Sequence, residues 1–299
     1  MRIVKITGGL GNQMFQYAFA RALEERTGEA VYVDRAGFAR YRLHNGYELE
    51  RVFGIAVRDA PAAETIRLGT QSDSIPARLR RKYFTKKTHY IDRYFGFDEG
   101  VFALGGDRYY DGYWQSEKYF ASIAPQIREA FRFARELDGE NRALLDSIGD
   151  QSVSVHVRRG DYLKSENLNV CGETYYRNAI ERALDESGAN TLVFFSDDSP
   201  WCRAQLATDR ALCIFVEGNH GENAWQDMAM MSRCSHHIIA NSSFSWWGAW
   251  LDEKPGARVF APDIWNMRQL IRKDPYYAFR FDDVLPAGWE TVPSGRRPI

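Results

Sequence analysis

The stretch VSVHVRRGDY, residues 153–162, closes an alternation of valines with Ser154, His156 and Arg158 on Arg159, Gly160 and Asp161. An arginine at the carboxyl end of a strand presents a permanently charged, planar fork of donors suited to bidentate contact with phosphate. Strand alternation puts His156 and Arg158 on one face and turns Arg159 into the following loop. Asp161 could orient an arginine or act on a substrate proton. A solvated Arg–Asp pair is the plain alternative, and the apolar residues upstream speak against it. Arg159-Gly160-Asp161 is also the adhesion tripeptide, a coincidence in a chain without a secretory signal.

Three further stretches carry chemistry. GGLGNQMFQYAFARAL, residues 8–23, is a glycine turn between strand and helix, where backbone N–H groups and the helix N-terminus favour an anion. Gly11 supplies such a backbone, and Asn12 and Gln13 add amides for phosphate or sugar hydroxyls. The rival reading is a dinucleotide fingerprint, Gly9-x-Gly11 with Asp34 ending the next strand, which makes a nicotinamide-dependent oxidoreductase. Met14 stands where that fingerprint needs a glycine or alanine, so this reading ranks second. TLVFFSDDSPWC, residues 191–202, ends a strand in Ser196 and then gives Asp197 and Asp198. Either carboxylate could accept from ring N–H groups such as those of guanine, and one of them suits the N-cap of a helix starting at Pro200. HHIIANSSFSWWGAWL, residues 236–251, offers Asn241, Ser242, Ser243 and Phe244 at a helix start, where serines cap and also donate to phosphate oxygens. His236 and His237 point to opposite faces of a strand, unsuited to one metal. Asp227, on the preceding helix, could support the loop network.

These stretches must be held by alternating elements. Residues 2–6 read as a strand, a helix runs on from Asn12, and 30–34 is a second strand. Residues 40–110 give no clear pattern, and 112–135 reads as a turn feeding an amphipathic helix. From residue 149 the reading is regular: strands 152–158, 191–196, 212–216, 236–240 and 258–261, with helices 173–187, 200–208, 222–233 and 242–252 between them. Such alternation predicts a parallel sheet covered on both faces. Two α/β domains are expected, 1–148 and 149–299, with a ligand in the cleft between them at the carboxyl ends of strands.

Composition sets the outer limits. A net charge of −1 in 299 residues argues against a protein that coats nucleic acid. The four cysteines show no zinc or disulfide spacing, which suits a reducing cytoplasm. No signal peptide and no membrane-length apolar run is read in the sequence. There is no Asp-x-Asp and no P-loop, and no metal or cofactor is expected. Glycine N–H groups, two arginines, serines at a helix start and one base-reading carboxylate describe a nucleotide-diphosphate site, as metal-free glycosyl transfer requires.

The segments GGLGNQMFQYAFARAL, GYWQSEKYF, HVRRGDY, FFSDD-x-x-WC and DMAMMSRCSHHIIANSSFSWWGAWL together resemble the bacterial and animal α-1,2-fucosyltransferases. HxRRxD, a later Asp-Asp turn and a later Ser-Ser-Phe are also similar to the wider superfamily of α-1,6- and protein O-fucosyltransferases. The resemblance implies an α/β, GT-B-like fold, with two Rossmann-like domains facing a cleft. It implies GDP-fucose as donor, inversion at the sugar carbon and no metal. By motif position, Arg158 would hold the β-phosphate, and Arg159 would assist it or hold the loop. His156 and Asp161 would order the pocket, with Asp161 as base or brace. Asp197 or Asp198 would read guanine. Ser242, Ser243 and Phe244 would close on phosphate and nucleoside, beside Asn241. Asn12 would reach donor or acceptor from the first domain, the probable acceptor side. The implied reaction moves L-fucose to the 2-hydroxyl of a terminal β-galactose on an oligosaccharide or lipid-linked glycan. The tail after residue 265 is expected to return to the first domain. A sugar-nucleotide-binding protein without activity is the third reading.

Overall fold

The computed structural model describes residues 1–40, 45–70, 85–92, 95–270 and 281–296. The chain divides into two compact units, Met1–Ala134 and Arg135–Ile299. The division thus falls earlier than the expected 148/149.

In the first unit, β1 (Arg2–Lys5), β2 (Val31–Asp34), β3 (His89–Ile91) and β4 (Arg108–Asp111) form a parallel sheet in the order β2-β1-β4-β3. Helix α1 (Leu10–Thr27) crosses from β1 to β2 and buries Met14, Phe15, Ala18, Phe19 and Ala22. Two short helices follow, α2 (Leu49–Phe53) and α3 (Ala62–Leu68). β3 and β4 fall in the stretch that gave no sequence pattern. Both are too short, and β4 (RYYD) too lacking in alternation, to declare themselves. Beyond them, residues 117–123 form two 3₁₀ turns, and α4 is only Ala124–Ala130. Pro125 fixes that start, because it has no N–H to give and tolerates only the first helical turn.

The second unit opens with α5 (Gly139–Ser147), whose N-cap Asp138 accepts from the Asn141 N–H. Five strands of the unit fall close to the expected positions: β5 (Ser152–Val157), β6 (Thr191–Ser196), β7 (Leu212–Val216), β8 (His236–Ile238) and β9 (Val259–Pro262). A sixth, β10 (Glu290–Val292), pairs with β9 in parallel. The described part of the tail therefore belongs to this unit's own sheet, a correction to the expected return to the first domain. Trp246 holds it as well, donating its indole N–H to the Val284 carbonyl at 2.7 Å and packing on Trp289.

Both faces of this sheet are covered, as a parallel sheet requires. On one, Val153, Val155, Val157, Leu192, Phe194 and Ile238 pack against α6 (Glu173–Ser187) through Tyr175, Tyr176 and Ile180. On the other, Val193, Phe195 and Val216 meet Met230 and Met231 of α8 (Trp225–Met231), with Leu144 and Leu145 of α5 packed alongside. α7 (Ser199–Leu206) and α9 (Ser243–Trp250) complete the set. All six residues of β5 are buried. Each fully buried valine there is worth roughly 1.5–3 kcal/mol, which anchors the end of β5 where the arginines begin.

Candidate functional site

The second sheet runs β7-β6-β5-β8-β9-β10. The chain builds outward from β5 in one direction, then returns to place β8 on its other side. In such sheets the connections leaving the first and fourth strands diverge, and the crevice between them at the carboxyl ends takes the ligand. Arg158–Asp161 leaves β5 at that point. Asn241–Phe244 leads from β8 into the N-terminus of α9. Register adds the third segment. Val157 pairs with Ser196, so β5 and β6 end together and Asp197-Asp198 emerges beside Arg158-Arg159.

The two arginines are held differently. Arg159 is locked: its Nε donates to Asp198 at 2.9 Å, and its guanidinium lies 3.9 Å over the Trp201 ring. Its backbone N–H donates to Asp197 Oδ1 at 2.9 Å. Arg158 makes ion pairs with Asp161 at 2.6 Å and Asp197 at 3.1 Å, yet keeps a third of its side chain exposed. Asp198 is also the N-cap of α7, accepting from the Trp201 N–H. Both aspartates are thus turned onto the arginine loop, and Asp198 is spent on it. Gly160 is what allows Asp197 so near: a Cβ there would lie 2.7 Å from Asp197 Oδ2.

His156 is buried on the opposite face from the valines, 5.8 Å from the Phe244 ring. Burial, then the Arg158 charge, push its pKa down to about 3, so the imidazole is neutral at physiological pH. Its Nδ1 has no partner among the described residues. At the start of α9, Ser242 Oγ accepts from the Phe244 N–H. The Ser243 N–H, in contrast, donates to nothing among the described residues. Tyr162 closes the loop side, its phenol pushed up to about 12 by burial and its ring 5.6 Å from the Arg158 guanidinium. The structure therefore gathers His156, Arg158, Arg159, Asp161, Asp197, Asp198, Ser242, Ser243 and Phe244.

Asn241 needs correction. Its Nδ2 donates to the carbonyls of Leu168 and Trp265, both at 3.0 Å, and its Oδ1 accepts from the Cys171 thiol. Its side-chain amide is committed to these partners, so the side chain braces the loop instead of facing a ligand. Gln13 is corrected for the same reason. It is fully buried, donating to the carbonyls of Gly8 and Gly46 and accepting from the Glu48 N–H.

Gly11 belongs to a helix start that already has its anion. The Leu10 N–H donates to the carboxylate of Glu48, which Arg51 and Asn45 also hold. Burial raises the pKa of that carboxyl while these donors oppose the rise. A phosphate at this turn would have to displace a buried, bonded side chain. The same fact removes the pyrophosphate seat of the nicotinamide reading. Asn12 is half-buried, its Oδ1 accepting from Gln115 at 2.8 Å.

Sequence reasoning missed Glu48, Gly160 as a packing requirement, and Trp201 and Tyr162 as partners of the arginines. Glu48 carries no signal of its own. The Trp201 ring could have been suspected from its place one turn into the helix after Asp198. Among the described residues, no three His, Cys, Asp or Glu side chains cluster as metal ligands. No described helix is long and apolar enough to cross a membrane.

Known proteins agree with this architecture. The E. coli alpha-1,2-colitosyltransferase is 34% identical over 91% of this chain and 95% of its own. The mouse galactoside 2-alpha-L-fucosyltransferase Sec1 is 25% identical over 84% of this chain, which spans 64% of that relative's length. The solved structure of POFUT1 in complex with GDP shares the fold at a TM-score of 0.53 and 12% identity, covering 88% of this chain and 98% of that one. The α/β, GT-B-like class expected from the sequence is the class observed. The model of glycosyl transferase family 11 matches residues 65–279, most of the chain and all of the arginine loop, so this protein belongs to that family and is a glycosyltransferase.

Proposed function

We propose that the chain moves L-fucose from GDP-fucose to the 2-hydroxyl of a terminal β-galactose, with inversion at the sugar carbon and without a metal. The observation that carries this reading is Arg158: a guanidinium oriented by two carboxylates, partly exposed, at the switch point of a Rossmann sheet. The acceptor hydroxyl oxygen attacks the sugar carbon as the carbon's bond to the β-phosphate oxygen breaks, and the hydroxyl proton passes to solvent. The departing electron pair leaves charge on that oxygen, where Arg158 and the Ser243 N–H would receive it. Asp161, 57% exposed, would orient Arg158 from the solvent side. Neutral His156 would offer a hydrogen bond and add no charge. Relatives named as an alpha-1,2-colitosyltransferase and a galactoside 2-alpha-L-fucosyltransferase support the linkage and the sugar class. The acceptor would be an oligosaccharide or lipid-linked glycan, met in the cytoplasm.

Thermal shift with GDP and with NAD, each with and without chelator, tests the donor site. GDP alone should raise the midpoint, and chelator should not matter. Release of GDP from GDP-fucose on adding lactose then separates an enzyme from a binding protein; its absence with every β-galactoside tried sinks the reading.

A second donor has a specific observation behind it, the 34% identity to a colitosyltransferase. Colitose is fucose without its 3-hydroxyl, so GDP-colitose would fit the same diphosphate seat. Competing the two donors for one acceptor decides between them.

A further inference from the structure

Among the described residues, the exposed large apolar side chains are Ile66, Tyr113, Leu163 and Leu212. Tyr113 stands apart because the surrounding chain is built to hold it. It follows β4 at the carboxyl end of the first sheet, and its ring is stacked on Phe95, with centroids 5.6 Å apart and planes 15° apart. Phe95 and Trp114, its support and its chain neighbour, are the two non-glycine residues with positive φ in the described chain, at 58° and 56°. For bulky side chains such backbone costs on the order of 1–3 kcal/mol each and persists only where surrounding structure imposes it.

Close packing imposes it here. A Cβ at Gly112 would lie 2.5 Å from the Asp92 Cβ and 2.9 Å from the Trp114 ring, so the exits of β3 and β4 meet only through a glycine. Trp114 is clamped on Phe19, with centroids 3.9 Å apart, and its buried indole N–H has no partner among the described residues. Gln16 ties the exits of β1 and β4 together, donating to the Gly112 carbonyl and accepting from the Thr7 N–H. Gln115, two residues beyond Tyr113, holds Asn12 Oδ1 and so fixes that amide, whose Nδ2 donates to no described residue.

Strained backbone and a glycine-only contact fix the place of a phenol that keeps 37% of its surface exposed. We propose that Tyr113, backed by Phe95, is the stacking floor of a subsite for the acceptor's galactose ring, with the Asn12 amide as donor to one of its hydroxyls. This rests on the transferase reading above and names where its acceptor sits. β-Galactopyranose carries the C3, C4 and C5 hydrogens on one face. That apolar patch covers an aromatic ring and leaves the equatorial 2-hydroxyl at the rim, clear of the floor. The Asn12 amide, held by Gln115 of the same segment, would supply the polar contact that an apolar shelf alone would lack.

Steady-state kinetics and a binding measurement test this together. Tyr113→Ala should raise the KM for a β-galactoside acceptor by about tenfold, the equivalent of one lost stacking contact, while the KM for GDP-fucose stays near wild type. Tyr113→Phe, which keeps the ring, should restore the acceptor KM. In protein labelled with 3-fluorotyrosine, the Tyr113 resonance, assigned by its loss in Tyr113→Phe, should shift on titration with methyl β-galactoside. This reading does not depend on the alanine variant folding. An unchanged acceptor KM in a folded Tyr113→Ala, or an unshifted resonance at saturating galactoside, overturns the subsite. A shifted resonance in a protein that transfers to no galactoside keeps the subsite and sinks the transferase reading.

Discussion

Two strand-to-helix turns in this chain present the same credentials as anion sites, and the structure treats them in opposite ways. The turn after β1 carries glycines and leads into an 18-residue helix, but Glu48 already sits on the Leu10 N–H. The turn into α9 is serine-rich and leaves the Ser243 N–H without a described acceptor, and it follows the strand next to the one that carries a partly exposed Arg158. A helix N-terminus attracts negative charge wherever it occurs. What makes it a ligand site is that the chain has not supplied the charge itself. Glycines report how near a backbone can come; they do not report what comes.

The largest effect that would sharpen this contrast is at Arg158. Arg158→Ala should lower kcat about 10²–10³-fold, as expected for loss of a preorganised donor to a leaving group, with the thermal midpoint little changed. Near-normal turnover would return the phosphate to the other turn. Gly160→Ala comes next: its Cβ displaces Asp197 from both arginines. A fall in kcat/KM of about 10–100-fold is expected, of the size seen when supporting groups around a site are lost.

Asp161→Asn should cost about tenfold by loosening Arg158, and the pH–rate profile should keep its shape. Disappearance of the acid limb would make Asp161 the base instead. Glu48→Ala reads the first turn. It removes the acceptor of the Leu10 N–H and one partner of Arg51, at a cost of about 1–3 kcal/mol in stability, and GDP affinity should not move. Tighter GDP binding in that variant would break the contrast.

The smallest effect is a slope. His156 has its folded pKa depressed from 6.5 to about 3, so between those values the unfolded chain binds the extra proton. Stability from this group is complete above pH 6.5 and is lost as pH falls toward 3. His156→Phe should flatten that part of the stability curve relative to wild type; an identical slope would show that the ring is not buried neutral.

The regular half of the fold was readable because β5, β6 and β7 run to five or six residues rich in Val, Leu, Ile and Phe between helices of clear period. β3 (HYI), β4 (RYYD) and β10 (ETV) were not, since each is short and lacks the apolar run that marked the equally short β8 and β9. The same divide holds among site residues. Arg158 and Asp161 could be paired by spacing alone, because both leave one strand end together. Gln13 and Asn241 looked like ligand groups because an amide's type does not reveal its partners. Their partners are backbone carbonyls of Gly46, Leu168 and Trp265, far away in sequence.

By itself, then, the amino-acid order determined which strand carries the arginines, that its interior is buried, and that charge collects at its exit. Those are local properties, set by side-chain alternation and by the change of period from strand to helix. Tertiary structure alone decided which charges remain available. Register brought Asp197 and Asp198 onto the arginine loop, and a loop residue of the first unit filled the glycine turn. Contacts of this kind depend on where distant segments come to rest, and no spacing in the sequence encodes that.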